Sequence, residues 1–457
     1  MENKIFEEIA ETPSNVLDRS IKSSQAAVKN FEGQKVVKQT KEYWNILGPG
    51  LTTGSADDDP SGIATYSQTG AQYGNQLLWL APFTFPMMGA VQEMCARIGI
   101  VTGQGLAANI RHHFPRWVLY LTTILLFAAN SFNIGADLGA LAKATQLIWP
   151  AGNFIFLVIA FTLLCLVLQI FSTYKSYAKY LKYLALILFS YVITAFLIKD
   201  FDWAGVLRSA VIPTLKFNKD QIILVCGILG TTISPYLFFW QTSQEVEEQI
   251  LAGQTTIKQR QDMVDDKEIK NMRIDVWSGM FLSNLAFFFI VAVCSATLFK
   301  HGITNIATAA DAAAALKPLA GRWAYLLFTL GIFSVGLLGI PTLAGSASYA
   351  ISESFNWKEG LYRKLKEASA FYGVIIFSMI IGLVLNFVGL DPIKALIYSA
   401  VANGIIAPIV LVSIVLISSN KAIMNGRHNH WFTSSFGWFM TIFMAAAGIA
   451  TIYSLFT

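Results

Sequence analysis

Charge is scarce in this chain. Asp, Glu, Lys and Arg make up 13% of its 457 residues, against 54% hydrophobic residues, whereas soluble domains carry about 25% charged residues. The shortage excludes an ordinary soluble globular protein and points to a polytopic membrane protein. Cysteine is equally sparse. Cys95, Cys165, Cys226 and Cys294 all lie in apolar runs without CxxC spacing, which excludes a disulfide framework or a zinc site and reads as buried thiols. Histidine is missing from every apolar run. His112, His113, His301, His428 and His430 fall in loops or near run ends, so no imidazole is available at membrane depth as a soft-metal ligand or proton relay. The apolar runs also lack HExxH, a Ser-His pair and paired catalytic Asp residues. An intramembrane hydrolase is therefore excluded, and neither an enzyme nor a cofactor is expected.

What is present is a succession of apolar runs. Eleven spans are expected, at 44–73, 77–101, 116–143, 152–171, 178–198, 220–249, 273–299, 322–352, 368–390, 392–417 and 433–456. Several reach the roughly 20 residues that cross about 30 Å of hydrocarbon. The polar segment 1–42 lacks the apolar core of a signal peptide and reads as a cytosolic tail. With that tail inside, the inner loops collect Arg111 and Arg116, then Lys175, Lys179 and Lys182, then Lys258, Arg260, Lys267, Lys270 and Arg273. Lys358, Arg363, Lys364 and Lys366 follow, then Lys421 and Arg427. This asymmetry accounts for the net charge of +5 without nucleic-acid binding. It places the N-terminus in the cytosol and the C-terminus outside a plasma membrane.

Two spans are interrupted at their middle, one at Ala56-Asp57-Asp58-Asp59-Pro60-Ser61-Gly62 and one at Thr231-Thr232-Ile233-Ser234-Pro235-Tyr236. A carboxylate at bilayer depth costs at least about 2.5–3.5 kcal/mol, and a proline frees carbonyls that hydrocarbon does not hydrate. The breaks fall in spans one and six, the spacing of a five-plus-five inverted repeat whose leading helices are broken around a midplane site. The repeats are expected at 43–199 and 220–417, separated by an extracellular loop at 200–219. A loop and the eleventh span complete the chain at 418–457.

Unwinding near Pro60 leaves the Ala56 carbonyl beside the Asp59 carboxylate, and the second break offers the Thr231 carbonyl and the Ser234 hydroxyl. Such oxygens make a hard cation site. Asp58 is a candidate charge either behind the ligands or in a vestibule, and Asp57 reads as a helix-end or solvated residue. Glu93 and Arg97 are spaced to pair within span two. Asp137 either faces an aqueous path or satisfies backbone groups. Gln241, Gln244 and Glu245 share a face that either lines a vestibule or is solvated. Asn403 either lines the pathway or bonds another helix.

Gly48-Pro49-Gly50 opens span one, and span two ends in Gln92-Glu93-Met94-Cys95-Ala96-Arg97-Ile98-Gly99-Ile100-Val101-Thr102-Gly103. With the two breaks, these segments resemble the NRAMP divalent-metal transporters over about residues 44–417. The resemblance implies an all-α LeuT-like fold of eleven transmembrane helices, with a metal site between spans one and six. The family's Asp-Pro-Gly-Asn aligns with Asp59-Pro60-Ser61-Gly62, and its Met-Pro-His with Ser234-Pro235-Tyr236.

The departures bear on substrate and coupling. Gly62 stands where the family has a ligating Asn, opening space, and Ser234 replaces a thioether with a hard oxygen. Both changes favour alkaline-earth ions, and a wide all-oxygen site suits Mg²⁺, which keeps its waters. This pattern resembles the NRAMP-related magnesium transporters. The family's acidic positions in span three align with Asn133 and Ala136, its span-six His with Tyr236, and a span-ten Gln with Ile406. Asp137 is displaced by one residue, about 100° around a helix. The chain is therefore expected to import hydrated Mg²⁺, and also Mn²⁺, without proton coupling, as a monomer in the lipid bilayer. Its alternatives are a proton-coupled Mn²⁺ or Fe²⁺ carrier relayed by Asp137, an organic-solute symporter and a passive channel.

Overall fold

A proline inside an α-helix removes the donor that the carbonyl four residues earlier would use. Pro60 does this to Ala56 and Pro235 does it to Thr231, and the helices stop where those donors are missing. The computed structural model describes residues 35–171, 174–199, 201–216, 218–304, 306, 309–389 and 392–456. Residues 1–34 of the expected tail, and the Lys175 side chain, lie outside what is described. An N-terminal unit contains helix α1 (Lys35–Ile46), and a second unit begins at Gly48.

In the second unit the first span is split into α2 (Pro49–Asp57) and α3 (Pro60–Tyr73). The elements then run α4 (Leu80–Thr102), α5 (Leu106–His113), α6 (Arg116–Ile148) and α7 (Phe154–Phe171). Next come α8 (Tyr174–Ala185), α9 (Phe189–Leu197), joined to α8 by a 3₁₀ turn, and α10 (Trp203–Val211). The sixth span is split into α11 (Lys219–Thr232) and α12 (Pro235–Leu251). It is followed by α13 (Ile257–Asp262), α14 (Asp266–Thr297), α15 (Ala309–Phe355), α16 (Ser369–Leu385), α17 (Pro392–Ser419) and α18 (Trp431–Phe456). Helices are the only regular elements longer than a turn among the described residues. Among the described residues eight helices or helix pairs are long and apolar enough to cross a membrane, and Ser369–Leu385 is a shorter apolar helix. The broken first span and α4 take the remaining two expected positions. The loop at 200–219 contains the short helix α10, with Asp202 capping its N-terminus by accepting from Gly205 N.

The two breaks are built alike. In each, two residues leave helical geometry and a proline takes the first position of the next half-helix, where its missing N–H costs nothing. Asp58 and Asp59 separate α2 from α3, and Ile233 and Ser234 separate α11 from α12.

Helix α2 is fastened along α14. Its free N-terminal donors go to one carboxylate: Asp275 Oδ1 accepts from Gly48 N at 2.8 Å and Leu51 N at 2.9 Å, and Oδ2 accepts from Gly50 N at 2.7 Å. At the other end of α2, Ser283 Oγ donates to Asp57 Oδ2 at 2.9 Å. Between these ties backbone meets backbone. A Cβ on Gly54 would stand 2.2 Å from the Gly279 carbonyl oxygen, and one on Gly279 would stand 2.0 Å from the Gly50 carbonyl oxygen. Asp57, expected at a helix end or in solvent, is the last residue of α2 but is fully buried, because Ser283 draws its carboxylate onto α14.

The expected Glu93–Arg97 pair does not form. Glu93 accepts instead from Arg273 Nε at 3.0 Å and Trp277 Nε1 at 2.8 Å, both on α14. Arg97 turns away to Asn429. All four cysteines are free and buried. Replacing Asp275 with Ala strands three backbone donors, each worth about 1–3 kcal/mol when left unmade in the interior. Asp275→Ala is expected to lower the unfolding free energy by at least about 2 kcal/mol, measured by thermal denaturation of the detergent-solubilised protein. An unchanged melting temperature would refute this account of α2.

Candidate metal site at the two helix breaks

Asp59 caps α3. Its Oδ1 accepts from Gly62 N at 2.9 Å and Ser61 Oγ at 2.5 Å, which fixes the side chain at the start of the half-helix. Its Oδ2 points away from its own helix, where Asn133 Nδ2 donates to it at 2.8 Å. The Tyr236 hydroxyl lies 3.5 Å from the same oxygen and donates to the Ala56 carbonyl at 2.7 Å. Across the gap, the Ser234 hydroxyl lies 2.9 Å from the Thr231 carbonyl and 2.7 Å from that of Gly230. Each carbonyl deprived of its donor by a proline thus finds a hydroxyl: Ala56 finds Tyr236, and Thr231 finds Ser234.

Asn133 is itself oriented. Ser399 Oγ on α17 donates to its Oδ1 at 2.7 Å, leaving the amide N–H groups to face Asp59. The Tyr236 backbone carbonyl accepts from Ser346 Oγ on α15 at 2.6 Å. Four helices besides the broken ones therefore position the set: α6 and α17 through Asn133, α15 through Ser346, and α14 through Asp57.

The site differs from the expected roomy one. Asp59, Thr231 and Ser234 are 1% exposed, and Ala56, Asn133 and Tyr236 are 0% exposed, so the oxygens are closed upon one another. Nor does Gly62 open space here, since a Cβ on it would stand 2.9 Å from Thr231 Oγ1. The missing side chain lets the second break approach the first. Among the described residues no three His, Cys, Asp or Glu side chains are arranged to enclose an ion. The donor set is one carboxylate with carbonyls and hydroxyls.

Asp137 stands four residues after Asn133, and positions four apart share a helix face. The expected rotation therefore does not carry it away from the site. A Cβ on Gly339 would stand 3.0 Å from Asp59 Cβ and 3.8 Å from Asp137 Oδ2, so the two carboxylates flank one glycine of α15. Both oxygens of Asp137, and both of Asp58, are buried without a hydrogen-bond partner. Asp58 is thus buried beside the site rather than open to a vestibule. From α17 the residue that reaches the set is Ser399. Asn403 is buried one turn further on, with its Oδ1 unpartnered.

Gln241 and Gln244 are buried too. Gln241 donates to Glu245 at 2.8 Å, and Gln244 lies 3.5 Å from the Tyr349 hydroxyl. The opposite face of α12 lines a cavity of about 580 Å³, to which Ser243, Glu247, Glu353, Arg111 and Glu359 contribute. Glu247 accepts from Leu361 N at 2.6 Å and Tyr362 N at 3.1 Å, and Glu353 from Ala108 N at 3.0 Å and Ser243 Oγ at 2.8 Å. These anchors were not singled out from the sequence. The run Glu245-Val246-Glu247-Glu248 signalled acidic density on α12 but not which face would be enclosed.

Glu359, in the loop after α15, has one carboxylate oxygen buried and unpartnered. Burial, then the nearby Glu353 and Glu247 charges, hold its carboxyl well above the usual range. A raised carboxyl favours the folded state while protonated and loses that advantage as pH climbs above the unfolded value of about 4.3. Glu359→Gln is therefore expected to raise the melting temperature at pH 8 and to have little effect at pH 4. Equal effects at both pH values would contradict the assignment.

Comparison with known proteins places the chain in a family. The family model described as natural resistance-associated macrophage protein-like matches residues 50–454. A divalent metal cation transporter MntH of Klebsiella pneumoniae is 28% identical over 401 residues, covering 86% of this chain and 90% of the relative. One from Caldanaerobacter subterraneus is 27% identical, covering 84% and 87%. Among solved structures, the Eremococcus coleocola manganese transporter aligns with a TM-score of 0.65 at 20% identity, over 93% of this chain and 88% of the other. Mhp1, a nucleobase-cation-symport-1 family transporter, aligns in a closed conformation with a TM-score of 0.54 at 13% identity, covering 89% and 91%. The fold is that of these transporters, and with the family model spanning both broken helices the chain belongs to the Nramp family of divalent metal transporters.

Proposed function

We propose that this multi-pass membrane protein imports hard divalent cations, Mg²⁺ foremost and Mn²⁺ as well, by alternating access and without proton coupling. The observation that carries the reading is the convergence of Asp59 Oδ2 and the Ala56 carbonyl on one point between the two breaks, marked by the Tyr236 hydroxyl. With the Thr231 carbonyl and the Ser234 hydroxyl opposite, the donors are all oxygen, and no sulfur tilts them toward softer ions. The residues touching Asp59 from other helices, Asn133 and Tyr236, are neutral hydrogen-bond donors. The relatives named as divalent metal and manganese transporters support the substrate class and the inclusion of Mn²⁺.

In this reading Asp59 supplies the charge that holds the dication, and the freed carbonyls replace part of its water shell. The half-helices α2 and α12 gate the cavity side, taken as cytosolic with both the N-terminus and the basic loops, and the C-terminus is outside. The membrane potential drives uptake, at about 4.6 kcal/mol per dication for each 100 mV. The chain works as a monomer in the plasma membrane.

A second reading, a proton-coupled Mn²⁺ or Fe²⁺ carrier, draws on one observation: Asp137 is buried beside Asp59 with no hydrogen-bond partner. Purified protein in liposomes with a lumenal pH probe separates the two. Uptake of Mg²⁺ and Mn²⁺ that leaves lumenal pH unchanged is the expected result, and acidification that tracks metal entry would replace the first reading with the second. Asp59→Ala is expected to abolish flux of both ions; wild-type rates in that variant would overturn the site assignment. Ser234→Met, which adds a thioether, is expected to shift preference from Mg²⁺ toward Mn²⁺ by roughly tenfold, read as the ratio of their flux rates.

A further inference from the structure

We propose that Tyr236 is an internal substitute for the cation, whose hydroxyl allows the unloaded carrier to close and return across the membrane. The inference rests on the transport reading above and adds a step to it. The phenolic oxygen lies 2.7 Å from the Ala56 carbonyl and 3.5 Å from Asp59 Oδ2, between the two oxygens assigned as ligands from the first break. The Ser234 hydroxyl does the corresponding work for the Thr231 carbonyl at 2.9 Å. Tyr236 and Asn133 are completely buried, so an ion reaches the Ala56 and Asp59 oxygens only if the phenol leaves them. The tyrosine and the ion compete for one place.

That competition has a use. A carrier that moves its substrate in one direction must bring its ligands back unloaded through a closed, dry state. Leaving a buried carbonyl without a donor is unfavourable, and a bare carboxylate is worse. Here the carboxylate is met by Gly62 N, Ser61 Oγ and Asn133 Nδ2, and the Ala56 carbonyl by Tyr236. A phenol, with a reference pKa of about 10, makes its bond while keeping its proton. The ligands are thus satisfied on the return journey without a proton being carried. Asn133 is held in the orientation this requires by Ser399, and the backbone that carries Tyr236 is anchored by the bond from Ser346 to its carbonyl.

Net uptake needs the unloaded return, whereas exchange of metal for metal does not, because the carrier crosses loaded both ways. The experiment compares the two in proteoliposomes, using Mn²⁺ uptake into metal-free vesicles and radiolabelled Mn²⁺ exchange with equal Mn²⁺ on both sides. Tyr236→Phe removes the hydroxyl and keeps the ring. It is expected to raise the ratio of exchange to net flux by about tenfold, equivalent to about 1.4 kcal/mol added to the return barrier. The KM for Mn²⁺ is expected to fall, because the competitor is gone. A ratio equal to that of the wild type would overturn the proposal. Should Tyr236→Phe fail to fold, Ser399→Ala serves in its place, since it loosens Asn133 without touching the ring. A raised exchange-to-net ratio in that variant supports the proposal, and an equal loss of both fluxes overturns it. Absence of any divalent flux in the wild type would instead defeat the transport reading itself.

Discussion

The organisation of this protein follows from two carbonyl groups that a regular helix would have satisfied. Pro60 and Pro235 each withdraw a backbone donor at the middle of an apolar span, where neither water nor lipid replaces it. Four of the polar side chains gathered there answer that deficit or steady the groups that do. Tyr236 and Ser234 supply hydroxyls, Asp59 caps the half-helix that Pro60 begins, and Asn133 steadies the carboxylate. The groups that a folded helix lacks and the groups that a cation needs are the same oxygens, so binding and helix interruption are one design.

Around that deficit the rest of the second unit acts as a frame. Helix α2 is laid against α14 with glycine opposite glycine and tied at both ends, so its position is set by another span rather than by its own nine residues. The second break is fixed through Ser346 of α15, and Asn133 through Ser399 of α17. At the cavity end, Glu247 and Glu353 hold the loop after α15 and the N-terminus of α5 by accepting from their backbone amides. Carboxylates here act mainly as acceptors for orphaned N–H groups, and Asp59 combines that task with facing the second break.

Much of this was legible in the sequence because the strongest signals are local. Span positions come from run length, and the breaks come from proline and aspartate in apolar surroundings. The pairing of the first and sixth spans comes from their spacing. What escaped were contacts whose partners are far apart in the chain. Glu93 was expected to pair with Arg97 four residues away, but α14 packs against α4 and presents Arg273 and Trp277 at shorter reach. Asp275 is not singled out by the sequence, because nothing local tells that it caps another helix. Asp137 is set aside as the family's acidic position by counting one residue, although counting four from Asn133 puts the two on one face. The expected width of the site failed for a related reason. Deleting a side chain at Gly62 says what is removed, while the approach of Thr231 from the other break decides what fills the gap.

The Asp275 clasp reaches beyond the finished molecule. Its partners, Gly48, Gly50 and Leu51, are 224 to 227 residues away in the chain. During synthesis the first half of this broken span is made long before its cap exists. Until the seventh span is made, those amides depend on water or lipid headgroups at the interface. At roughly 5–20 residues per second, that interval lasts on the order of ten seconds or more. This span is thus completed only after the second half of the chain has been made. The nine-residue leading segment is therefore a late-closing part of the fold, whose three amides gain their acceptor only when the second half of the chain arrives.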